Sequence, residues 1–112
     1  FAIRSNAWQQ RSTKVSQHIH ETAYNSRPIN ILTGWDRPLQ GHFLVVEFTD
    51  QPDEYLYDNL SDPDLAWCMG LPPTMDHFIE KLASLNISLP SEMLANVLVD
   101  KFGNAGNKVV FY

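Results

Sequence analysis

The sequence predicts an α+β domain, in which a small, mainly antiparallel sheet of about four strands packs one face against two C-terminal helices. Three observations support this fold class: two β-rich runs that flank a Pro/Gly turn, an apolar repeat at helical spacing in the second half, and a short β-rich run at the end. With 112 residues, of which 44% are hydrophobic, the chain can build one modest core but not two. We therefore expect a single α+β domain over residues 29–112, preceded by a basic arm over residues 1–28.

The arm over residues 1–28 differs in charge from the rest of the chain. It carries four basic residues against the single acidic Glu21, whereas residues 29–112 carry four basic and twelve acidic residues. Four dispersed cations beside an acidic body argue against nucleic-acid binding. An optional N-terminal helix is predicted in this arm, because four apolar residues fall near helical spacing, namely Trp8, Val15, Ile19 and Ala23.

The metal-ligating residue types are sparse in this sequence. His18 and His20 lie two positions apart, which would put them on different sides of a helix, so we expect both to be solvated rather than to bind a metal. Cys68 is the only cysteine, which excludes an internal disulfide and a cysteine-rich zinc site. No metal and no cofactor are predicted.

The stretch ILTGWDRPLQGHFLVVEF predicts a β-hairpin. Residues 29–35 and 42–48 are rich in β-branched and aromatic residues, a composition typical of strands. Pro38 pre-sets φ at the start of the turn, and Gly41 is expected to take a left-handed conformation that closes a four-residue loop. That loop would place Trp35 opposite Leu44. The predicted core face then consists of Ile31, Thr33, Trp35, Leu44, Val46 and Phe48.

The predicted register leaves Trp35, Arg37 and His42 at one end of the core face. A guanidinium could there stack on an aromatic ring or receive an anion, so these residues form a candidate ligand-binding site. The alternative is that Arg37 only closes the edge of the core by hydrogen-bonding backbone carbonyls. Asp36 and His42 point to opposite sides of the sheet, which argues against an Asp–His catalytic dyad.

Residues 47–64 contain seven acidic residues and no Lys or Arg. Between the turns of this segment, Tyr55 to Tyr57 predict a third strand. Solvated turns with local side-chain capping account for most of the acids, and a docking face for a basic protein partner is the functional alternative. The segment lacks the central glycine and the closing glutamate of an EF-hand loop, so calcium binding is not expected. The acids of this candidate interaction surface are Asp53, Glu54, Asp58, Asp62 and Asp64.

Two helices and a closing strand are predicted after residue 73. Thr74 is a candidate cap for the first helix, and Pro90 or Ser91 begins the second, which ends at Gly103. Residues 108–112 have the composition of a short strand. The apolar side of the second helix is predicted to consist of Leu94, Val97, Leu98 and Phe102.

No nucleotide-binding, zinc-protease or nucleophile-elbow motif occurs in the sequence, and no catalytic residue is predicted. We therefore expect a non-enzymatic interaction or regulatory protein. The rival hypothesis is a small-molecule-binding protein or an enzyme that uses a pocket near Trp35, Arg37 and His42.

The protein is predicted to form a homodimer. Phe43 and Val45 make the second face of the hairpin apolar as well, so one layer of helices cannot cover both faces. The arm or a second copy of the chain would have to cover it. No apolar run reaches the roughly 20 residues of a membrane span, and the start of the chain lacks the apolar core of a signal peptide. Cytoplasmic localisation is therefore expected.

The segments GWDRPLQGHFLVVE, EYLYDNLSDPDL and GNKVVFY resemble small uncharacterised bacterial proteins, some of which are carried on mobile gene cassettes. This resemblance covers about residues 29–112 and leaves out the arm. The family has no assigned activity, so the resemblance implies a bacterial accessory protein and assigns no site residue.

Overall fold

A computed structural model describes residues 15–112 of the chain. Over this range the elements form an α+β fold around a five-stranded sheet, with strand order β4-β3-β2-β1-β5. Neighbouring strands are antiparallel except for β1 and β5, which run parallel. The elements are β1 (Val15–Tyr24), β2 (Arg27–Asp36), β3 (Gly41–Phe48), β4 (Tyr55–Asp58), two 3-10 helices (Asn59–Ser61 and Pro63–Cys68), α1 (Asp76–Ser84), α2 (Ser91–Phe102) and β5 (Lys108–Phe111).

The prediction of an N-terminal helix is wrong where it can be compared, because Val15–Tyr24 form strand β1. This strand pairs with β2 over ten residues, and Ser16 to Ile19 pair with β5 on its other side, so the sheet satisfies many of its backbone groups. Such long-range pairing outweighs a thin apolar stripe at helical spacing. Trp8, the first residue of that stripe, lies outside the described residues. The sheet has five strands rather than about four because β1 belongs to it.

The predicted hairpin is confirmed, and its register is shifted by two residues. Trp35 lies opposite His42 rather than Leu44, and Thr33 lies opposite Leu44. A shift of two preserves the alternation of faces, so the predicted core face keeps its members. The turn also differs from prediction, since Gln40 takes the left-handed conformation with φ of 53° and Gly41 does not. Gly41 is required instead because a Cβ there would lie 2.4 Å from the Leu71 carbonyl oxygen.

The main apolar core brings the sheet and both helices together. Strand residues Ile31, Leu44 and Val46 are fully buried in it, and Phe78 of α1 and Val97 of α2 belong to the same cluster. The remaining members are Ile29, Phe48, Leu65, Met75, Leu82 and Ile87. Within residues 15–112 no helix is long and apolar enough to cross a membrane.

The predicted inner face of α2 is only partly right. Met93 and Val97 are buried, but Leu98 is 43% exposed and Phe102 is 84% exposed. The helix turns Asp100 inward, with 1% of its surface exposed, to meet a polar partner on β1. That contact rotates the end of the apolar stripe toward solvent.

Candidate functional site

Trp35 and His42, two of the predicted ligand-binding residues, face each other across β2 and β3. Their ring centroids are 4.9 Å apart in an edge-to-face arrangement, and 3% of Trp35 and 0% of His42 is exposed. His42 Nδ1 lies 3.0 Å from the Gly34 carbonyl oxygen and must donate to it, so the neutral ring carries its proton on Nδ1. Burial, with a smaller contribution from the charge of Lys101, lowers the pKa of His42 to about 4.

Further hydrogen bonds close this end of the sheet. The Trp35 indole N–H donates to Asn104 Oδ1 at 3.1 Å, and the Gln40 amide donates to the same oxygen at 2.7 Å. Arg37 is exposed in the loop, and its carbonyl accepts a second hydrogen bond from Gln40. Of the three residues, Trp35 and His42 are thus packed together inside the fold while Arg37 lies outside it.

Phe43 and Val45, the predicted interaction residues of the second sheet face, are only 2% and 3% exposed. Phe43 pairs directly with Gly34, where an added Cβ would lie 3.0 Å from the phenyl ring. Val15 on β1 is also fully buried. These side chains are therefore inside the fold and not on an accessible surface.

Two of the predicted acidic surface residues cap the 3-10 helices. Asp58 accepts a hydrogen bond from the Leu60 N–H at 3.1 Å, and Asp62 accepts one from the Asp64 N–H at 2.9 Å. This is the local capping that the acid-rich turns predicted. Asp53 and Asp64 have exposed positions.

Glu54 has a different role, as part of an ion-pair network with Arg27. The Arg27 guanidinium donates to Glu54 at 2.7 Å and to Asp50 at 2.8 Å, and it stacks 3.8 Å above the Phe48 ring. Hydrogen bonds from Arg27 lower the pKa values of Glu54 and Asp50. The network ties the start of β2 to the turn between β3 and β4.

A buried polar network centred on His18 was missed by the sequence analysis. His18, predicted to be solvated, is 0% exposed, and its Nε2 lies 2.5 Å from Asp100 Oδ2. The other Asp100 oxygen accepts a hydrogen bond from Lys108 Nζ at 2.6 Å. Burial by itself raises the pKa of Asp100, but hydrogen bonds from Lys108, His18 and Ser16 lower it below its usual value.

Tyr112 completes this network. Asn96 Nδ2 donates to the Tyr112 hydroxyl at 2.9 Å, and the hydroxyl lies 2.7 Å from His18 Nδ1, to which it donates if Nε2–H faces Asp100. Both ring nitrogens and both carboxylate oxygens are thereby engaged. The network holds α2 and β5 against β1.

The outward side of α2 is an exposed apolar surface. Its apolar residues follow helical spacing of three and four: Ala95, Leu98, Val99 and Phe102. Leu98, Val99 and Phe102 are 43%, 63% and 84% exposed. The helix therefore has an apolar inner side, with Met93 and Val97, and an apolar outer side. We call Leu98, Val99 and Phe102 the α2 ridge.

An open groove of about 480 Å³ is lined by residues of α1, of the loop that follows it and of the first half of α2. Leu94, one turn before Leu98, contributes to its lining together with Ile79 of α1. The rest of the lining consists of Leu82, Ala83, Asn86, Ile87, Ser88 and Leu89. The groove thus reaches α2 one turn before the ridge begins.

The sequence contained a signal for this surface. Nearly every turn of α2 has apolar residues on more than one side, which predicts a helix covered on both sides. Comparison with protein-family models, with curated proteins and with solved structures gives no significant match.

Proposed function

We propose that this protein is a non-enzymatic interaction protein that forms a homodimer through the α2 ridge and the adjoining groove. The observation that carries the proposal is the exposure of Leu98, Val99 and Phe102 at helical spacing on a helix whose opposite side is already packed in the core. Contiguous apolar surface of this kind costs free energy in water and is typical of protein interaction sites.

A second copy of the chain is the occupant that fits this surface. In a two-fold dimer the same patch serves both partners, so a surface with a ridge beside a groove can receive its own ridge. Glu92 lies in the first turn of α2 and Lys101 in the last turn. An antiparallel pair of α2 helices would bring Glu92 of each copy toward Lys101 of the other. It would also point the two helix dipoles in opposite directions, which is favourable.

The cellular role is proposed as regulatory or accessory, in the bacterial cytoplasm, on the basis of the resemblance described above. A basic protein partner would bind at Asp53 and Asp64, which occupy exposed positions. The rival use of Trp35, Arg37 and His42 as a ligand site has less support, since Trp35 and His42 pack against each other.

Light scattering after size-exclusion chromatography tests the dimer. At micromolar concentration the expected mass is twice the 12.8 kDa of one chain. Phe102→Lys should shift the protein toward monomer, because it puts a charge in the ridge. The helix itself should be retained, because a cation at the C-terminal end of a helix does not oppose the helix dipole.

Phe111→Lys is the matched control, since Phe111 is 71% exposed on β5 and lies outside the ridge. This variant should remain dimeric. A monomeric mass for the unmutated protein would refute the homodimer, and equal dissociation by the two variants would refute the assignment of the interface to α2.

A further inference from the structure

We infer that Asp62, Asp64 and His77 form a binding site for a divalent transition-metal cation of the zinc type. One ligand atom from each of these residues lies within 4.8 Å of the other two. The site goes beyond the proposed dimer and does not depend on it. It also revises the sequence-based expectation that no metal is bound, because that expectation considered the acids only as calcium ligands and did not bring His77 to them.

Three local elements bring the ligands together. Asp62 lies between the two 3-10 helices and caps the second one, while Asp64 is in the first turn of that helix. His77 is the second residue of α1. Its Nε2 lies 2.8 Å from Asp62 Oδ2, although fifteen positions separate them in the chain.

The Asp62 carboxylate is held in place by the surrounding structure. Only 4% of its side chain is exposed, and Oδ2 accepts a 2.5 Å hydrogen bond from the Tyr57 hydroxyl. Hydrogen bonds of this kind to the carboxylate orient metal ligands in known sites. The other Asp62 oxygen, Oδ1, accepts a hydrogen bond from the Asp64 N–H at 2.9 Å, so both carboxylate oxygens are fixed in position.

The local field also favours a cation. Asp62 and Asp64 bring two carboxylates to the site, with ligand atoms within 4.8 Å of each other. Lys81 is a neighbouring cation, whose Nζ lies 5.7 Å from the centre of the Tyr57 ring. One lysine does not neutralise two carboxylates.

The ligand set favours zinc over calcium. A histidine nitrogen and two carboxylates suit zinc, which binds them at about 2.0 to 2.2 Å and usually in a tetrahedron, so that two ligand atoms are about 3.3 Å apart. The observed separations, 2.8 Å for one pair and at most 4.8 Å for any pair, bracket that value. Calcium prefers six to eight oxygen ligands and gains little from an imidazole. With three protein ligands, water would complete the tetrahedron.

Binding requires the neutral form of His77. Nε2 donates to Asp62 when no metal is bound, so a neutral ring that binds metal through Nε2 must carry its single proton on Nδ1 instead.

Isothermal titration of the full chain with zinc chloride, in a buffer that does not bind metal, tests the site. We expect one zinc per chain, with an affinity reduced by about tenfold or more in His77→Ala and in Asp64→Asn. Asp64 is exposed, so its variant should fold even if His77→Ala does not. Glu80→Gln, on the exposed side of the same helix, and Cys68→Ser are the controls and should bind zinc as the unmutated protein does.

Thermal melts with calcium chloride and with zinc chloride test whether the site distinguishes the two metals. Calcium should raise the melting temperature no more than sodium chloride of equal ionic strength does, whereas zinc should raise it specifically. Absence of zinc binding at 100-fold molar excess would overturn the inference. So would zinc binding that is unchanged in His77→Ala and Asp64→Asn, or lost in Cys68→Ser, or a calcium-specific gain that does not depend on His77.

Discussion

Acidification should destabilise this protein through His42. In the folded state burial lowers the pKa of His42 from 6.5 to about 4, so between these values the unfolded chain binds a proton that the folded chain excludes. The contribution of neutral His42 to the free energy of unfolding is therefore fully present above about pH 6.5. It is lost as the pH falls toward about 4. A shift of this size corresponds to at most about 3.4 kcal/mol, of which about 2 kcal/mol should disappear between about pH 7 and pH 5.

Urea unfolding at a series of pH values measures this effect, with His42→Gln as the comparison. Glutamine keeps an amide that can donate to the Gly34 carbonyl, as His42 Nδ1 does, but it does not titrate in this range. The variant should be less stable at pH 8, and the difference from the unmutated protein should shrink by about 2 kcal/mol on going to pH 5. Parallel stability curves for the two proteins, or an NMR titration that finds the His42 pKa near 6.5, would refute the reasoning.

Two further predictions concern single contacts. Gly41→Val should cost about 1–3 kcal/mol, because its Cβ would lie 2.4 Å from the Leu71 carbonyl oxygen, whereas Leu39→Ala, at a residue that is 58% exposed, should change stability by less than about 0.5 kcal/mol. Equal losses in chemical denaturation would contradict this account of the turn. Lys108→Met should cost about 2 kcal/mol at neutral pH, since it removes a cation from the buried Asp100 carboxylate, although the 42% exposure of the Lys108 side chain moderates the loss. A neutral effect in the same assay would indicate that water replaces the ammonium group.

The elements that the sequence predicted well depend on local physics. The strands of the hairpin, the third strand and both helices follow from side-chain alternation, helical spacing and breaker residues, each of which acts over a few positions. The caps made by Asp58 and Asp62 also reach only two residues along the chain. The hairpin register was harder to predict, because a shift of two residues leaves the same side chains on the core face and composition cannot distinguish the two arrangements.

The candidate sites were less predictable than the fold. The α2 ridge is present in the sequence as apolar residues on a second side of a helix, but which side faces the core depends on the contact between Asp100 and β1. The cluster of Asp62, Asp64 and His77 needs α1 to begin beside the second 3-10 helix, and no spacing rule states that. Trp35 and His42 were predicted on the right face, and the true register turns them toward each other.

By itself, the sequence determined the class of the fold, the positions of most elements and the side chains that alternate into the core, because these depend on propensity and period within short segments. Only the tertiary structure decided that residues 15–24 form a strand, that β5 runs parallel to it, and that His18 is buried against Asp100, 82 positions away. The reason is energetic. A strand gains its hydrogen bonds, and a buried charge its partners, from residues distant in the chain, so neither is encoded in the composition of the segment that carries it.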